Sequence, residues 1–179
     1  MNELVAIFLV GIGLSMDAFS LSLIYGTIIG KRKNKVILAI LVGIYHFIMP
    51  LLGHMIGDEI IFHLKLSINI VVFISFFLIA LDMLISCIKE KEEKFVDSLI
   101  GYIVFGFTVS IDSFVTGVGI NAISTNHLLV SLLFFIVSGI FTFVGLELGD
   151  RLNRKVGKYS VIGGSIILML LSFYYLFYL

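Results

Sequence analysis

The stretch Leu4-Val5-Ala6-Ile7-Phe8-Leu9-Val10-Gly11-Ile12-Gly13-Leu14-Ser15-Met16-Asp17-Ala18-Phe19 is apolar except where Ser15 and Asp17 interrupt it. A run of this length and composition has the makings of a membrane-spanning helix, which needs about 20 apolar residues to cross about 30 Å of hydrocarbon. Its aspartate is the anomaly. A carboxylate at the centre of a membrane helix costs about 2.5–3.5 kcal/mol on insertion scales, so such residues are rare and usually functional. The string then recurs: Ser15-Met16-Asp17-Ala18-Phe19 is echoed by Ser110-Ile111-Asp112-Ser113-Phe114, with Ser, Asp and Phe in register at a spacing of 95. One buried aspartate is compatible with local packing. Two in matching contexts point to a shared, paired site.

Composition supports the same class. The 179 residues are 60% hydrophobic and 13% charged, against about 45–50% and about 25% in soluble domains. The charges cluster between apolar runs, and the expected fold class is all-α: a polytopic membrane protein. Six segments stand out, at roughly 3–25, 36–57, 67–88, 98–120, 127–149 and 159–178. Their near-continuous apolar character differs from the alternation of barrel strands. The single cysteine, Cys87, excludes an internal disulfide and a cysteine-based metal cluster. Zero net charge argues against a nucleic-acid partner. Glu3, rather than a basic n-region, precedes the first run, so that run is expected to be a retained helix.

Basic residues sort the loops. Lys31, Arg32, Lys33 and Lys35 lie in the first, Lys89, Lys91 and Lys94 in the third, and Arg151, Arg154, Lys155 and Lys158 in the fifth. The second holds only Lys65, and 121–126 holds no Lys or Arg. The positive-inside rule then makes the odd loops cytoplasmic and leaves both termini outside a cell (inner or plasma) membrane. With three spans per half, repeat one (about 1–90) and repeat two (about 95–179) cross in opposite senses. The expectation is a single membrane domain, 1–179, built as two inverted three-helix repeats, a plan that puts transporter sites near the midplane. Gly53-x-x-x-Gly57-Asp58 and Gly145-x-x-x-Gly149-Asp150 end corresponding spans and support the duplication. Such glycine faces also offer a possible homodimer contact.

Asp17 and Asp112 each fall about 14 residues into their spans, roughly 20 Å along a helix. Two facing carboxylates repel unless a proton or cation lies between them. A divalent cation cancels both charges, and oxygen ligands favour Mg, Ca or Mn over Zn or Cu. Ser15, Ser110 and Thr116 are candidate hydroxyl ligands, and His46, four residues before Pro50, is a candidate for the path or the shell. On a continuous fourth helix, Thr108, Asp112 and Thr116 form one polar stripe, and Gly13, Asp17 and Ser20 form a narrower one on the first. Asp82 with Lys89, and Glu147 with Arg151, are expected to pair locally or snorkel. His54, Asp58 and Glu59 read as a solvated cluster, and His63 and His127 as loop residues.

At these residues the chain resembles the family described as "putative manganese efflux pump", small six-span proteins of two repeated halves. The resemblance rests on Gly13-Leu14-Ser15-Met16-Asp17-Ala18-Phe19-Ser20 and on Met49-Pro50-Leu51-Leu52-Gly53. Ser110-Ile111-Asp112-Ser113-Phe114 with Gly117 and Gly119, and Gly163-Gly164, extend it over essentially the whole chain. It implies export of manganese(II) from the cytoplasm with Asp17 and Asp112 central, and manganese as transported substrate with no cofactor. His46 departs from the Gln or Glu that relatives carry there. Leu23-Ile24-Tyr25-Gly26 leans toward a related branch of sporulation membrane proteins, an alternative without demonstrated transport. A small-solute exporter is a further alternative, but no basic residue lies deep in a span to hold a carboxylate. No Gly-x-x-x-x-Gly-Lys-[Ser/Thr] string occurs, so this chain is not by itself an ATPase. Nor is there a His-Glu-x-x-His arrangement, and an enzyme is not expected. Export of two charges against 100 mV opposes about 4.6 kcal/mol, and alternating access with proton exchange is the expected coupling.

Overall fold

The computed structural model describes residues 3–64, 67–89, 97–119, 124–149 and 154–178. All the regular structure there is helical: α1 (Glu3–Tyr25), α2 (Arg32–Leu64), α3 (Ile68–Lys89), α4 (Leu99–Thr108), α5 (Ile111–Val118), α6 (His127–Leu148) and α7 (Arg154–Tyr178). Five stretches are long and apolar enough to cross a membrane: α1, Arg32–Gly57 of α2, Leu99–Val118 taken together, α6, and Tyr159–Phe177 of α7. The apolar part of α3, Asn69–Ile85, is shorter. Large apolar side chains such as Phe8, Ile40, Leu78, Ile140 and Leu170 stand on the outside, the inverse of a soluble surface and the expected dress of a polytopic membrane protein.

The fourth expected span is not one helix. It breaks at Val109 and Ser110, where side-chain bonds to the preceding turn gather on both sides of the gap. Thr108 Oγ1 donates to the Val104 carbonyl at 2.9 Å, and Ser110 Oγ bonds the Gly106 and Phe107 carbonyls at 2.8 and 3.0 Å. Side chains that bond the preceding turn compete with the main-chain ladder and bend helices. The break undoes the predicted stripe: Thr108 is exposed while Thr116 is buried, because α4 and α5 do not share one continuous helical phase. Elsewhere the ends follow ordinary capping. Ser98 accepts from Gly101 N–H and Asn126 from Leu129 N–H, both at 3.1 Å.

Helix pairs can be read from close approaches. α1 runs parallel to α6, with Gly11 against Phe134, Ser15 against Ser138, Phe19 against Gly145 and Leu23 against Gly149. α2 runs parallel to α4–α5, with Tyr45 against Gly106, Pro50 against Gly117 and Gly57 against Val118. α2 and α6 cross antiparallel at Gly43 and Phe135, and α7 lies antiparallel to α1, with Leu168 and Gly164 against Gly13. A Cβ on Gly145 would stand 2.8 Å from the Phe19 carbonyl oxygen, and one on Gly149 2.6 Å from that of Leu23. Gly53 meets the Phe114 carbonyl just as closely, and a Cβ on Gly57 would stand 2.6 Å from Val118 Cα. These two glycine pairs are therefore spent inside the chain, with backbone packed on backbone. Neither pair is available for the anticipated dimer contact.

Two apolar clusters hold the bundle. One gathers Ile7, Val10 and Leu14 of α1 with Phe76, Phe134 and Leu168. The other gathers Ala18 and Tyr25 with Leu38, Val42, Phe105, Val109 and Leu146. α1 passes from the first cluster to the second between Leu14 and Ala18, and Asp17 lies at that junction.

Several local expectations change. Glu147 pairs with Arg32 of α2 at 3.7 Å rather than within its own loop; Arg151 lies outside the described residues. Lys35, assigned to a loop, is buried in α2 and donates through Nζ to the Leu146 carbonyl at 2.8 Å. A cation at the last turn of α6 also complements that helix's negative end. His63 and His127 belong to helices, α2 and α6, not to loops. Asp82 is exposed, and the side chain of its expected partner Lys89 lies outside the described residues.

Substituting Gly53→Ala should lower the detergent-solubilised protein's stability by about 1–3 kcal/mol through overpacking. Gly163→Ala, where a Cβ meets nothing within 4 Å, should be near neutral. Thermal unfolding followed by size-exclusion chromatography compares them.

Candidate metal centre

Asp17 sits in the third quarter of α1, between Met16, which packs on one apolar cluster, and Ala18, which belongs to the other. Asp112 occupies the first turn of α5, immediately after the break. Its Oδ1 accepts the Ser113 N–H at 2.7 Å, and a carboxylate there also benefits from the positive end of the helix. Both side chains are half-buried, and Asp17 lies near enough for its charge to bear on Asp112. The two echoed aspartates, 95 residues apart in sequence, thus come within electrostatic reach in the interior.

The hydroxyls around them divide by role. Ser15 Oγ donates to the Gly11 carbonyl at 2.6 Å and lies 2.9 Å from Ser138 Oγ. It fastens α1 to α6 and, like Ser110, is fully buried. Ser110 is engaged with the carbonyls that α4 leaves at the break. Gly11 and Gly106, the acceptors of these two serines, are themselves 95 residues apart, so the echo extends to the hydrogen bonds. Thr116 differs. It lies one turn beyond Asp112, is buried, and its Oγ1 has no hydrogen-bond partner among the described residues. His46 is also fully buried, with Nδ1 2.9 Å from the Val42 carbonyl.

Ser138 and Thr142 escaped the sequence reading. Both are fully buried on α6, on the face turned to α1. Their signal was present: Ser131, Ser138, Thr142, Gly145 and Gly149 form one stripe of small residues at helical spacing. His54 was read as part of a solvated cluster, yet its ring packs on that of His127 with centroids 3.8 Å apart. Among the described residues no three His, Cys, Asp or Glu side chains converge as a preformed metal cage. An ion between Asp17 and Asp112 would complete its shell from hydroxyls, main-chain carbonyls and water, the ligand set of a hard, readily released dication.

A polytopic helical membrane protein is the class these features define. Residues 29–176 match the family described as "Putative manganese efflux pump", and the chain belongs to that family. Among curated proteins it is 35% identical to "Putative manganese efflux pump MntP" of Halalkalibacterium halodurans over 93% of each chain. It is 32% identical to the protein of that name from Oceanobacillus iheyensis, over 93% of this chain and 92% of the other. The Bacillus pumilus protein of that name is 31% identical, over 94% and 92%. No solved structure matches the chain.

The Ser15–Ser138 contact is open to a double-mutant cycle. Ser15→Ala and Ser138→Ala should each lower stability by about 0.5–1.5 kcal/mol. The double variant should lose less than the sum, as two groups sharing one hydrogen bond require. Chemical denaturation in micelles measures all three.

Proposed function

We propose that this protein exports manganese(II) from the cytoplasm as a secondary transporter, with Asp17 and Asp112 as the ion-binding pair. What supports the reading is two echoed carboxylates in apolar helices, near enough for the charge of one to bear on the other. The names of relatives matched over more than nine-tenths of this chain suggest the ion. Efflux is transport, not enzymatic turnover, and manganese here is cargo, not a cofactor. Thr116, with its unengaged hydroxyl one turn from Asp112, joins the shell. Ser15 and Ser110 hold the backbone around it and are weaker ligand candidates.

The chain crosses the cell membrane six times, α3 included and α4–α5 counted as one crossing. The lysine- and arginine-rich loops face the cytoplasm and both termini lie outside. The halves are inverted repeats within one membrane domain. Matched contacts support this: Gly145 meets Phe19 and Gly149 meets Leu23, while Gly53 meets Phe114 and Gly57 meets Val118. Each repeat's second helix thus packs on the motif helix of the other.

Charge balance suggests the cycle. An empty, doubly ionised pair is costly to carry through the membrane interior. One divalent ion neutralises it, and so do two protons. In alternating access the pair loads manganese from the cytoplasm, releases it outside and returns protonated, so only a filled or protonated site crosses. An exporter of carboxylate-bearing solutes would need a cation near the middle of the bundle. Lys35, the buried cation among the described residues, is instead committed to the carbonyl end of α6.

Cells under manganese load provide the test. Asp17→Asn and Asp112→Asn should each raise cellular manganese to the level of cells lacking the protein, at unchanged protein abundance. Wild-type manganese content in both variants would refute the site. In proteoliposomes, manganese flux should accelerate when the pH gradient drives protons against it; indifference to that gradient would refute proton exchange.

A further inference from the structure

One face of α2 can be followed onto α5 residue by residue. Gly57 lies against Val118, Gly53 against Phe114 and Pro50 against Gly117. His46 is the next residue on that line, one turn before Pro50. With Tyr45 against Gly106, that face brings residue 46 level with the last turn of α4, beside the break that Ser110 closes and that Asp112 follows. α6 gives an independent reading of the same place. Gly149, Gly145 and Ser138 stand 92 residues after Gly57, Gly53 and His46. Gly149 and Gly145 pack on Leu23 and Phe19 of α1, and Ser138 reaches Ser15, the serine of the first motif, at 2.9 Å. By that correspondence His46 stands over the second motif as Ser138 stands over the first.

The ring has its own constraint. The Val42 carbonyl can only accept, so Nδ1 carries the proton and the neutral ring keeps its lone pair on Nε2. Nε2 is buried and has no hydrogen-bond partner among the described residues. A helix that only had to pack would be better served there by an apolar side chain. An imidazole with one nitrogen fixed to a carbonyl and the other open is the arrangement found in metal-ligating histidines.

We infer that His46 Nε2 is a nitrogen ligand to the ion carried by Asp17 and Asp112, and that it sets the site's preference for manganese over magnesium. This rests on the paired-aspartate reading and adds its selectivity. Carboxylates, hydroxyls and water alone suit magnesium and calcium as well as manganese. Magnesium gives up water reluctantly and favours an all-oxygen octahedron, so one imidazole in the shell penalises it relative to a first-row transition ion. Ser138, at the matched position, offers only oxygen and is already bound to Ser15; the two halves therefore make unequal contributions.

Pulsed electron paramagnetic resonance of Mn²⁺ bound to the purified full-length protein tests this directly. The wild-type spectrum should show modulation from a coordinated ¹⁴N, converting to the ¹⁵N pattern when the protein is made with ¹⁵N-histidine. In His46→Gln the modulation should vanish, manganese affinity should fall about tenfold or more, and the manganese-over-magnesium ratio in proteoliposome transport should fall with it. His54→Gln and His127→Gln should retain the wild-type signal. Bound manganese without histidine modulation, or modulation that survives in His46→Gln, would overturn the His46 assignment and leave the aspartate pair standing. Failure of the wild-type protein to bind manganese would overturn both. Should His46→Gln not fold, the isotope comparison on the wild-type protein, with the His54 and His127 variants, still decides.

Discussion

Two carboxylates inside an apolar bundle impose a requirement that the surrounding structure has to meet. Each is tolerable only where hydrogen bonds, dipoles or a cation stabilise it. Asp112 has the Ser113 N–H and the first turn of α5, which the helix break at Ser110 brings to that depth. Asp17 lies where α1 passes from one apolar cluster to the other. Bringing the two within electrostatic reach needs helices packed more closely than large side chains allow. The glycines of α2 and α6 provide this by setting backbone against backbone on Phe114 and Phe19. What remains uncompensated is charge, and in the proposed cycle a divalent ion or a pair of protons would balance it.

The two halves repeat their contacts but not their state. α1 is continuous through Ser15, whereas the corresponding stretch of α4–α5 is broken at Ser110. α1 lies closely along α7, with Gly13 and Met16 against Leu168 and Gly164, while α3 meets α5 over a shorter stretch that includes Val72 on Gly119. Position by position, Pro50 answers to Thr142 and His46 to Ser138. On the proposed alternating-access cycle such unlike halves would mark one of two conformations, the partner state being reached by exchanging the looser packing for the closer one.

Much of this was legible in the chain itself. The six apolar runs located the helices, with the fourth run covering both α4 and α5, and the Ser-x-Asp-x-Phe echo pointed to the proposed aspartate pair, because a carboxylate in such a run has few bland explanations. The repeated Gly-x-x-x-Gly strings marked close approaches but not their partners, since small residues report proximity without naming the neighbour. The break at Ser110 was missed because helical periodicity looks the same with or without it, and a serine bonded to the preceding turn, as Ser15 is in the continuous α1, does not announce one. Ser138 and Thr142 passed unremarked because a serine or threonine in an apolar helix ordinarily bonds its own backbone and carries little signal alone; here Ser138 bonds Ser15 instead, and Thr142 Oγ1 has no partner among the described residues. Glu147 and His54 found partners across helices, which spacing along one helix cannot anticipate.

Equilibrium binding of Mn²⁺ to the purified protein, measured with radioactive manganese in wild type and in the two asparagine variants at positions 17 and 112, addresses the central claim most directly. One ion per chain in the wild type, lost on replacing either aspartate while the protein stays folded, is the predicted result. Undiminished manganese binding with both aspartates replaced would contradict it.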